Sequence, residues 1–191
     1  VIDASGSMDE AGKLQADWAV RLVWEANAAV LQALAGRDGG CTLSGVLFVG
    51  ARYALAHVGD TRVYLWGGAG LRQLTRDHSL VAAMLASGML TDDEAQGHPD
   101  RNKVLRSLGN LRQPQPDYVD TLPGSPTAVL APGEALVLVS DGVWGEVSDG
   151  HMAEILSGSP TPQAAAQALV QAALEAGAPD NATALLVRRV A

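Results

Sequence analysis

The sequence predicts an α+β fold in which two antiparallel sheets pack face to face and helices cover their outer surfaces. Three observations support this prediction: a long helical pattern near the start, a series of short β-type segments after it, and a pair of helical patterns before a last apolar segment. Series of strands, rather than strict alternation of strand and helix, favour such layers over a parallel sheet. The length of 191 residues suits a single domain, residues 1–191.

The individual elements follow from hydrophobic periodicity and from the positions of glycine and proline. Apolar residues at helical spacing predict a first helix, and short segments separated by glycine-containing turns predict an antiparallel meander. The predicted helices cover residues 10–35, 148–155 and 162–176. The predicted strands cover residues 42–49, 53–58, 62–66 and 71–74 in the meander, and then 118–122, 135–139 and 182–190.

A polar segment at about residues 78–109 separates the two apolar halves of the chain. Within it we expect a short amphipathic helix ended by Gly88, a helix start at Thr91 with acidic residues in its first turn, and further helical turns over residues 101–108. Polar connecting segments between apolar regions often carry function. The segment is therefore predicted to form a flap over one end of the sheets.

Composition narrows the classes of function. The net charge of −8 argues against a nucleic-acid-binding groove, which usually has a basic face. The single cysteine, Cys41, excludes an internal disulfide and favours a reducing, cytoplasmic setting. No apolar run approaches the roughly 20 residues that span a bilayer, so no membrane association is expected.

Aspartates follow apolar segments at three points that lie far apart in the sequence. Asp141 follows the segment 135–139, Asp3 follows the first apolar pair, and Asp180 precedes the last apolar segment. An unpaired carboxylate at the end of a buried strand is costly, and the neighbouring sequence offers few cationic side chains to pair with it. These three aspartates are therefore predicted to converge on a site for a hard metal ion with oxygen ligands.

Four short motifs occur in the chain in a particular order and at compatible separations. They are Gly59-Asp60-Thr61-Arg62, Leu74-Thr75-Arg76-Asp77-His78-Ser79, Ser140-Asp141-Gly142 and Pro179-Asp180-Asn181-Ala182-Thr183. Together they resemble the metal-dependent Ser/Thr protein phosphatase family (PPM or PP2C) of bacterial type, and the resemblance extends over residues 1–190. It implies a four-layer α-β-β-α sandwich and hydrolysis of phosphoserine and phosphothreonine in proteins.

The resemblance also implies roles for individual residues. Asp3 is similar to the family's metal-bridging aspartate, and the backbone carbonyl of Ala4 to the one that follows it. Asp141 and Asp180 resemble the other two principal ligands, and Asp77 resembles an aspartate associated with a third, weaker ion. The implied cofactors are two or three Mn²⁺ or Mg²⁺ ions, which prefer such oxygen ligands. A metal-bound water then serves as the nucleophile, so no side chain is assigned as catalytic.

The implied setting is signalling by dephosphorylation. The substrates would be proteins phosphorylated by a Ser/Thr kinase, and the enzyme would act as a cytoplasmic monomer. Residues that bind the substrate are not assigned.

The chain departs from the family pattern at several positions. The family usually has glycine where Ala4 stands, some members have histidine at the position of Ser5, and some have an acid at the position of Gly145. Because the chain begins at Val1, in what reads as the end of a strand, we expect an N-terminal strand segment to be missing. We expect a longer form to be active and this chain to be weak or inactive. A regulatory domain that has lost activity is the alternative.

A second alternative is a binding module. Asp3, Ser5 and Ser7 have the spacing of the metal-dependent adhesion motif of von Willebrand factor A domains, with Thr42 and Asp141 as possible further ligands. Those domains alternate strands and helices around a mostly parallel sheet, which a meander does not fit. We therefore predict that Thr42 begins a strand antiparallel to its sequence neighbour.

Other polar residues of the motifs receive structural interpretations. Asp60 is interpreted as a turn acid that caps backbone amides. Arg62 is expected to pair with a carboxylate and brace the meander. His57 is expected to be packed within a strand, and His78 to orient Asp77 by a hydrogen bond.

Overall fold

The computed structural model describes residues 10–110 and 127–190. Within these residues the helices are α1 (Glu10–Leu34), α2 (Leu80–Ala86), α3 (Asp92–Gln96), α4 (Asp141–Trp144), α5 (Asp149–Gly158) and α6 (Pro162–Glu175). The strands are β1 (Leu43–Val49), β2 (Arg52–Val58), β3 (Arg62–Gly67), β4 (Gly70–Gln73), β5 (Thr127–Val129), β6 (Ala135–Val139) and β7 (Ala184–Arg188).

The described strands form two antiparallel sheets. One has the strand order β1-β2-β5 and the other the order β4-β3-β6-β7. Alternate residues of β2 and β3, such as Tyr53, Leu55 and Val63, meet Leu136 of β6 in a core between the sheets. This alternation follows from the period of 2 along a strand, which gives each sheet one inner and one outer face.

Helices cover the outer faces of both sheets. Val23 of α1 packs on Ala56 and Val58 of the first sheet. On the second sheet, Val137 contacts a cluster that includes Leu169 and other buried residues of α4, α5 and α6. The layers are therefore helix, sheet, sheet and helix, which confirms the predicted four-layer sandwich.

The predicted meander is divided between the two sheets. The four strands lie close to their predicted positions, but β2 pairs with β1 and β5, whereas β3 pairs with β4 and β6. The turn at Gly59-Asp60 thus carries the chain from one sheet to the other. A period-2 pattern shows which residues share a face but does not identify the partner strand, so the prediction of one continuous meander was wrong.

The polar segment contains two helices but not the third helical stretch. The predicted turns over 101–108 are irregular, because this stretch makes backbone hydrogen bonds to other parts of the chain, including the Cys41 and Leu108 pair. Thr91 caps α3 in a capping box with Glu94, as its sequence position indicated.

Two further differences concern short elements. Strand β5 and helix α4 were not predicted, because three or four residues are too few to show a period. The strand expected at 118–122 lies outside the described residues. No helix in the described part of the chain is both long and apolar enough to cross a membrane.

Leu169→Ala should destabilise the fold. Leu169 is fully buried between α6 and the second sheet, and truncation of a buried leucine leaves a cavity that costs about 2–5 kcal/mol. Leu174→Ala, on the same helix but 56% exposed, is the matched control and should change the unfolding free energy by less than about 0.5 kcal/mol. Urea unfolding measures both, and equal effects would contradict the packing described here.

Candidate metal centre

The end of β6 and the loop before β7 are tied together by Ser140. Its backbone N–H donates to the carbonyl of Thr183 at 3.0 Å, and its hydroxyl accepts from the N–H of Thr183 at 3.0 Å. The same hydroxyl donates to the carbonyl of Asn181 at 3.3 Å. The loops that carry Asp141 and Asp180 are therefore neighbours, and the convergence of their carboxylates on one metal ion remains a prediction.

Glycine at position 142 allows a close approach between these two loops. A Cβ added to Gly142 would overlap the carbonyl oxygen of Asn181. Only a residue without a side chain fits there without movement of the backbone. Gly142 thus brings the first turn of α4, which Asp141 begins, against the loop before β7.

Asp141 and Asp180 have similar local hydrogen bonds. One carboxylate oxygen of Asp141 accepts from the N–H of Gly142 at 2.9 Å, and one of Asp180 accepts from the N–H of Asn181 at 2.6 Å. Among the described residues, the second oxygen of each carboxylate accepts no hydrogen bond. Each aspartate therefore keeps an oxygen available for another ligand.

Asp60 joins the same group of acids. It is 7% exposed, and its pKa is raised first by burial, then by the negative charge of Asp141, and further by that of Asp77. Its backbone carbonyl accepts a hydrogen bond from the indole N–H of Trp144 at 2.9 Å. The interpretation of Asp60 as a turn acid missed this proximity. The available signal was that Asp60 follows the apolar strand β2, as Asp141 follows β6.

Asp77 is engaged by Arg62. The Nε atom of Arg62 lies 3.1 Å from each carboxylate oxygen of Asp77, and Nη2 lies 2.7 Å from Oδ2. The expected pairing of Arg62 with a carboxylate is therefore present. The role of Asp77 as a ligand of a third ion remains a prediction.

His57 and His78 are both buried near the turn between the sheets. His57 is fully buried, and its Nε2–H donates to the carbonyl of Arg76 at 3.1 Å, so the expectation of a packed histidine is met. Nδ1 of His78 accepts from the N–H of Gly59 at 3.0 Å, and the N–H of His78 donates to the carbonyl of Gly59 at 2.8 Å. His78 thus fixes the turn that precedes Asp60, and its orienting role for Asp77 stays a prediction.

The first predicted ligands, Asp3 and the carbonyl of Ala4, lie outside the described residues, as do Ser5 and Ser7. In the described part of the chain, no group of three or more histidine, cysteine, aspartate and glutamate side chains is placed to hold one metal ion. The roles of Asp3 and Ala4 as ligands therefore remain predictions.

The donor chemistry of the centre suits a divalent cation. In the described structure the positive charge of Arg62 lowers the pKa of Asp60, whereas the negative charges of Asp141 and Asp77 raise it. Three carboxylates near one guanidinium leave an excess of negative charge, and carboxylate oxygens are the ligands that Mg²⁺ and Mn²⁺ prefer.

The topology excludes the adhesion module. Thr42 precedes β1, which runs antiparallel to β2 in the register Leu43 to Val58. The β-carbon of Thr42 lies against Gly59, at the turn between the sheets. The mostly parallel sheet of that class is absent from the described strands.

Comparisons with known proteins agree with this fold. No family model matches the chain. The chain is 35% identical over 151 residues to the protein phosphatase PhpP of Streptococcus pneumoniae, an alignment that covers 79% of this chain and 58% of PhpP. The chain thus spans less than two thirds of that relative's length.

Solved structures match over a larger share of both chains. The S. agalactiae serine/threonine phosphatase matches with a TM-score of 0.79 and 30% identity, over 91% of this chain and 70% of that one. The catalytic domain of the serine/threonine protein phosphatase PstP, solved with two manganese ions, matches with a TM-score of 0.75 and 29% identity, over 99% and 75% of the two chains.

Gly142→Ala should destabilise the centre, because the added methyl group would overlap Asn181. Overpacking of this kind costs about 1–3 kcal/mol in unfolding free energy. Gly150→Ala is the matched control: Gly150 lies in α5 with open space around it, so alanine should be neutral or stabilising by up to about 1 kcal/mol. Urea unfolding compares the two, and a neutral Gly142→Ala would contradict the close approach.

Asp60→Asn should stabilise the metal-free protein at pH 7. Because burial and Asp141 raise the folded-state pKa of Asp60, its ionisation costs stability once the pH exceeds its unfolded pKa of about 3.9, and the full cost is present above the folded pKa. The gain in melting temperature in EDTA should therefore shrink as the pH falls towards 4. Asp38→Asn, at an exposed position, controls for net charge. A gain that is independent of pH would contradict the assigned cause.

Proposed function

Because the chain belongs to the bacterial PPM family of metal-dependent serine/threonine phosphatases, we propose that it hydrolyses phosphoserine and phosphothreonine in proteins. The contact between the loops of Asp141 and Asp180, made by Ser140, is the observation that carries this proposal. It lies at the end of β6 and β7, where the negative charge of Asp141 raises the pKa of the buried Asp60. The three relatives described above are named as phosphatases, which supports the same reaction.

Asp141 and Asp180 are the described residues that would hold the metal, together with Asp3 and the carbonyl of Ala4. Mn²⁺ or Mg²⁺ is proposed as the cofactor, and the PstP structure with two manganese ions supports two principal ions. When bound, such ions supply an activated water and neutralise charge on the phosphoryl oxygens. Asp77 is proposed as a ligand of a third, weaker ion.

The chain's own residues position the candidate ligands. Gly142 permits the close packing of α4 on the loop before β7, which sets the separation of Asp141 and Asp180. The indole of Trp144 holds the carbonyl of Asp60 at 2.9 Å and thereby anchors α4 to the turn after β2. Catalysis of phosphoryl transfer depends largely on such positioning and on charge stabilisation.

Substrates, partners and location follow from this function as proposals. The substrates are phosphoproteins, and the opposing enzyme is a Ser/Thr kinase. A monomer in the cytoplasm fits the single cysteine and the acidic surface. The chain as a whole, residues 1–191, acts as one domain with the segment 78–109 as its flap.

A weak or inactive regulatory domain is the second candidate, and one contact favours it. The N–H of Gly145 donates to the carbonyl of Asp141 at 2.8 Å, and an added Cβ would come within 2.7 Å of that oxygen. An acid at position 145, as in some family members, would require the end of α4 to move. Position 145 is glycine, so the centre has no acid there.

The test is a phosphatase assay of the protein at its natural length with p-nitrophenyl phosphate and a phosphothreonine peptide, in Mn²⁺, in Mg²⁺ and in EDTA. We expect activity with metal only, and a loss of at least about 100-fold in Asp141→Asn, because second-shell changes alone cost 10–100-fold. Asp38→Asn should retain wild-type activity.

Activity that survives EDTA or Asp141→Asn would exclude the metal-dependent mechanism. Binding of Mn²⁺ without hydrolysis in the natural full-length protein would favour the regulatory domain. In that case Ala4, Ser5 and Gly145 are the positions to revert.

A further inference from the structure

Arg62, at the start of β3, is the centre of a compact set of polar contacts. Its side chain is 21% exposed, and its Nε and Nη2 atoms both bind Asp77. Nη1 donates to the hydroxyl of Tyr64 at 3.4 Å, and the guanidinium lies 3.6 Å from the ring centroid of Trp144. Burial alone would lower the pKa of Arg62, but the hydrogen bonds and charge of Asp77 outweigh it, so the group stays charged.

The carboxylate of Asp77 is largely taken up by hydrogen bonds from Arg62. Its side chain is only 8% exposed, and both of its oxygens accept N–H groups from Arg62. The amide Nε2 of Gln73 approaches Oδ1 as well, at 3.4 Å. A carboxylate in a two-point pair with arginine has few lone pairs left for a metal ion. A divalent cation at Asp77 would also lie beside the positive guanidinium.

We propose that Arg62 is a positioning residue that limits cation binding at Asp77, because the guanidinium and a divalent ion compete for the same carboxylate. This inference rests on the proposed metal-dependent function. In the structure, both carboxylate oxygens of Asp77 are bound by Arg62. Asp77 is then an exchangeable ligand, in contrast to Asp141 and Asp180, whose second oxygens accept no hydrogen bond among the described residues.

The same contacts connect Asp77 with the rest of the centre. Trp144, on which Arg62 stacks, belongs to α4, the helix that begins at Asp141, and donates to the carbonyl of Asp60. A change in the pair of Arg62 and Asp77 therefore acts on the helix that carries a principal ligand. Arg62 is the first residue of β3, and Asp77 directly precedes the predicted flap at residues 78–109. The exchange of partners at Asp77 therefore occurs at the edge of that flap.

The experiment measures Mn²⁺ binding directly, by the EPR signal of free Mn²⁺ in a titration of wild type, Arg62→Met and Arg62→Lys. Arg62→Met keeps most of the packing volume but removes the charge. We expect its weakest Mn²⁺ dissociation constant to tighten about tenfold, since a unit charge within a few ångströms of a partly buried site has an effect of at least this size. Arg62→Lys keeps the charge but loses the two-point geometry, so a smaller tightening is expected.

Melting temperature provides the second readout. In EDTA, Arg62→Met should melt below wild type, because it leaves Asp77 buried and unpaired. Mn²⁺ should raise its melting temperature by more than that of wild type, and the added substitution Asp77→Asn should abolish both the extra rise and the tighter binding. Arg72→Met, an exposed arginine on β4, controls for the change in net charge.

Each outcome decides one question. If Arg62→Met binds Mn²⁺ as wild type does, the pair is a structural brace and the inference is wrong. If Arg62→Met fails to fold, an unchanged or weaker Mn²⁺ affinity in Arg62→Lys has the same meaning. If wild type itself binds no Mn²⁺, the proposed function fails instead.

Discussion

The close packing of α4 on the loop before β7 is the constraint on which the candidate centre depends. Ser140 joins the two segments by three hydrogen bonds, and Gly142 allows their backbones to touch. The pairing of β6 with β7 places both segments at one end of the second sheet. Because β6 is buried and also pairs with β3, this end is fixed by the core and not by the loops alone.

The acids at this end are held in place although they repel one another. Asp60, Asp77 and Asp141 lie near enough for the charges of the other two to raise the pKa of Asp60, and Arg62 is already bound to Asp77. An arrangement that costs stability without a ligand is typical of functional sites. Here the cost would be offset when a divalent cation binds, which links metal affinity to the stability of the fold.

Much of the fold was predictable from the sequence, because its elements have clear periods and clear ends. The long helix α1 and the apolar strand β6 appear within a residue or two of their expected positions. The partners of β2 and β3 were not predictable, since a strand's pattern does not encode its neighbour. Strand β5, with three residues, has too short a pattern to detect.

The candidate site was predictable to a similar degree and for similar reasons. Asp141 and Asp180 stand at the ends of apolar segments, so the contact between their loops followed from the sandwich. The proximity of Asp60 and the two-point pairing of Arg62 with Asp77 depend on how the two sheets and α4 meet, which no local pattern contains. The sequence therefore predicted which residue types could bind a metal ion, whereas the contacts that those residues make could be found only from the tertiary structure.

The most direct test of the central claim is anomalous scattering from a crystal of the protein grown with Mn²⁺. We expect manganese peaks in contact with the carboxylates of both Asp141 and Asp180, with Asp3 completing the ligand set. Absence of manganese there, or a separation of the two carboxylates beyond about 8–10 Å, would contradict a shared metal centre, because a site of two ions with a bridging water is smaller than that.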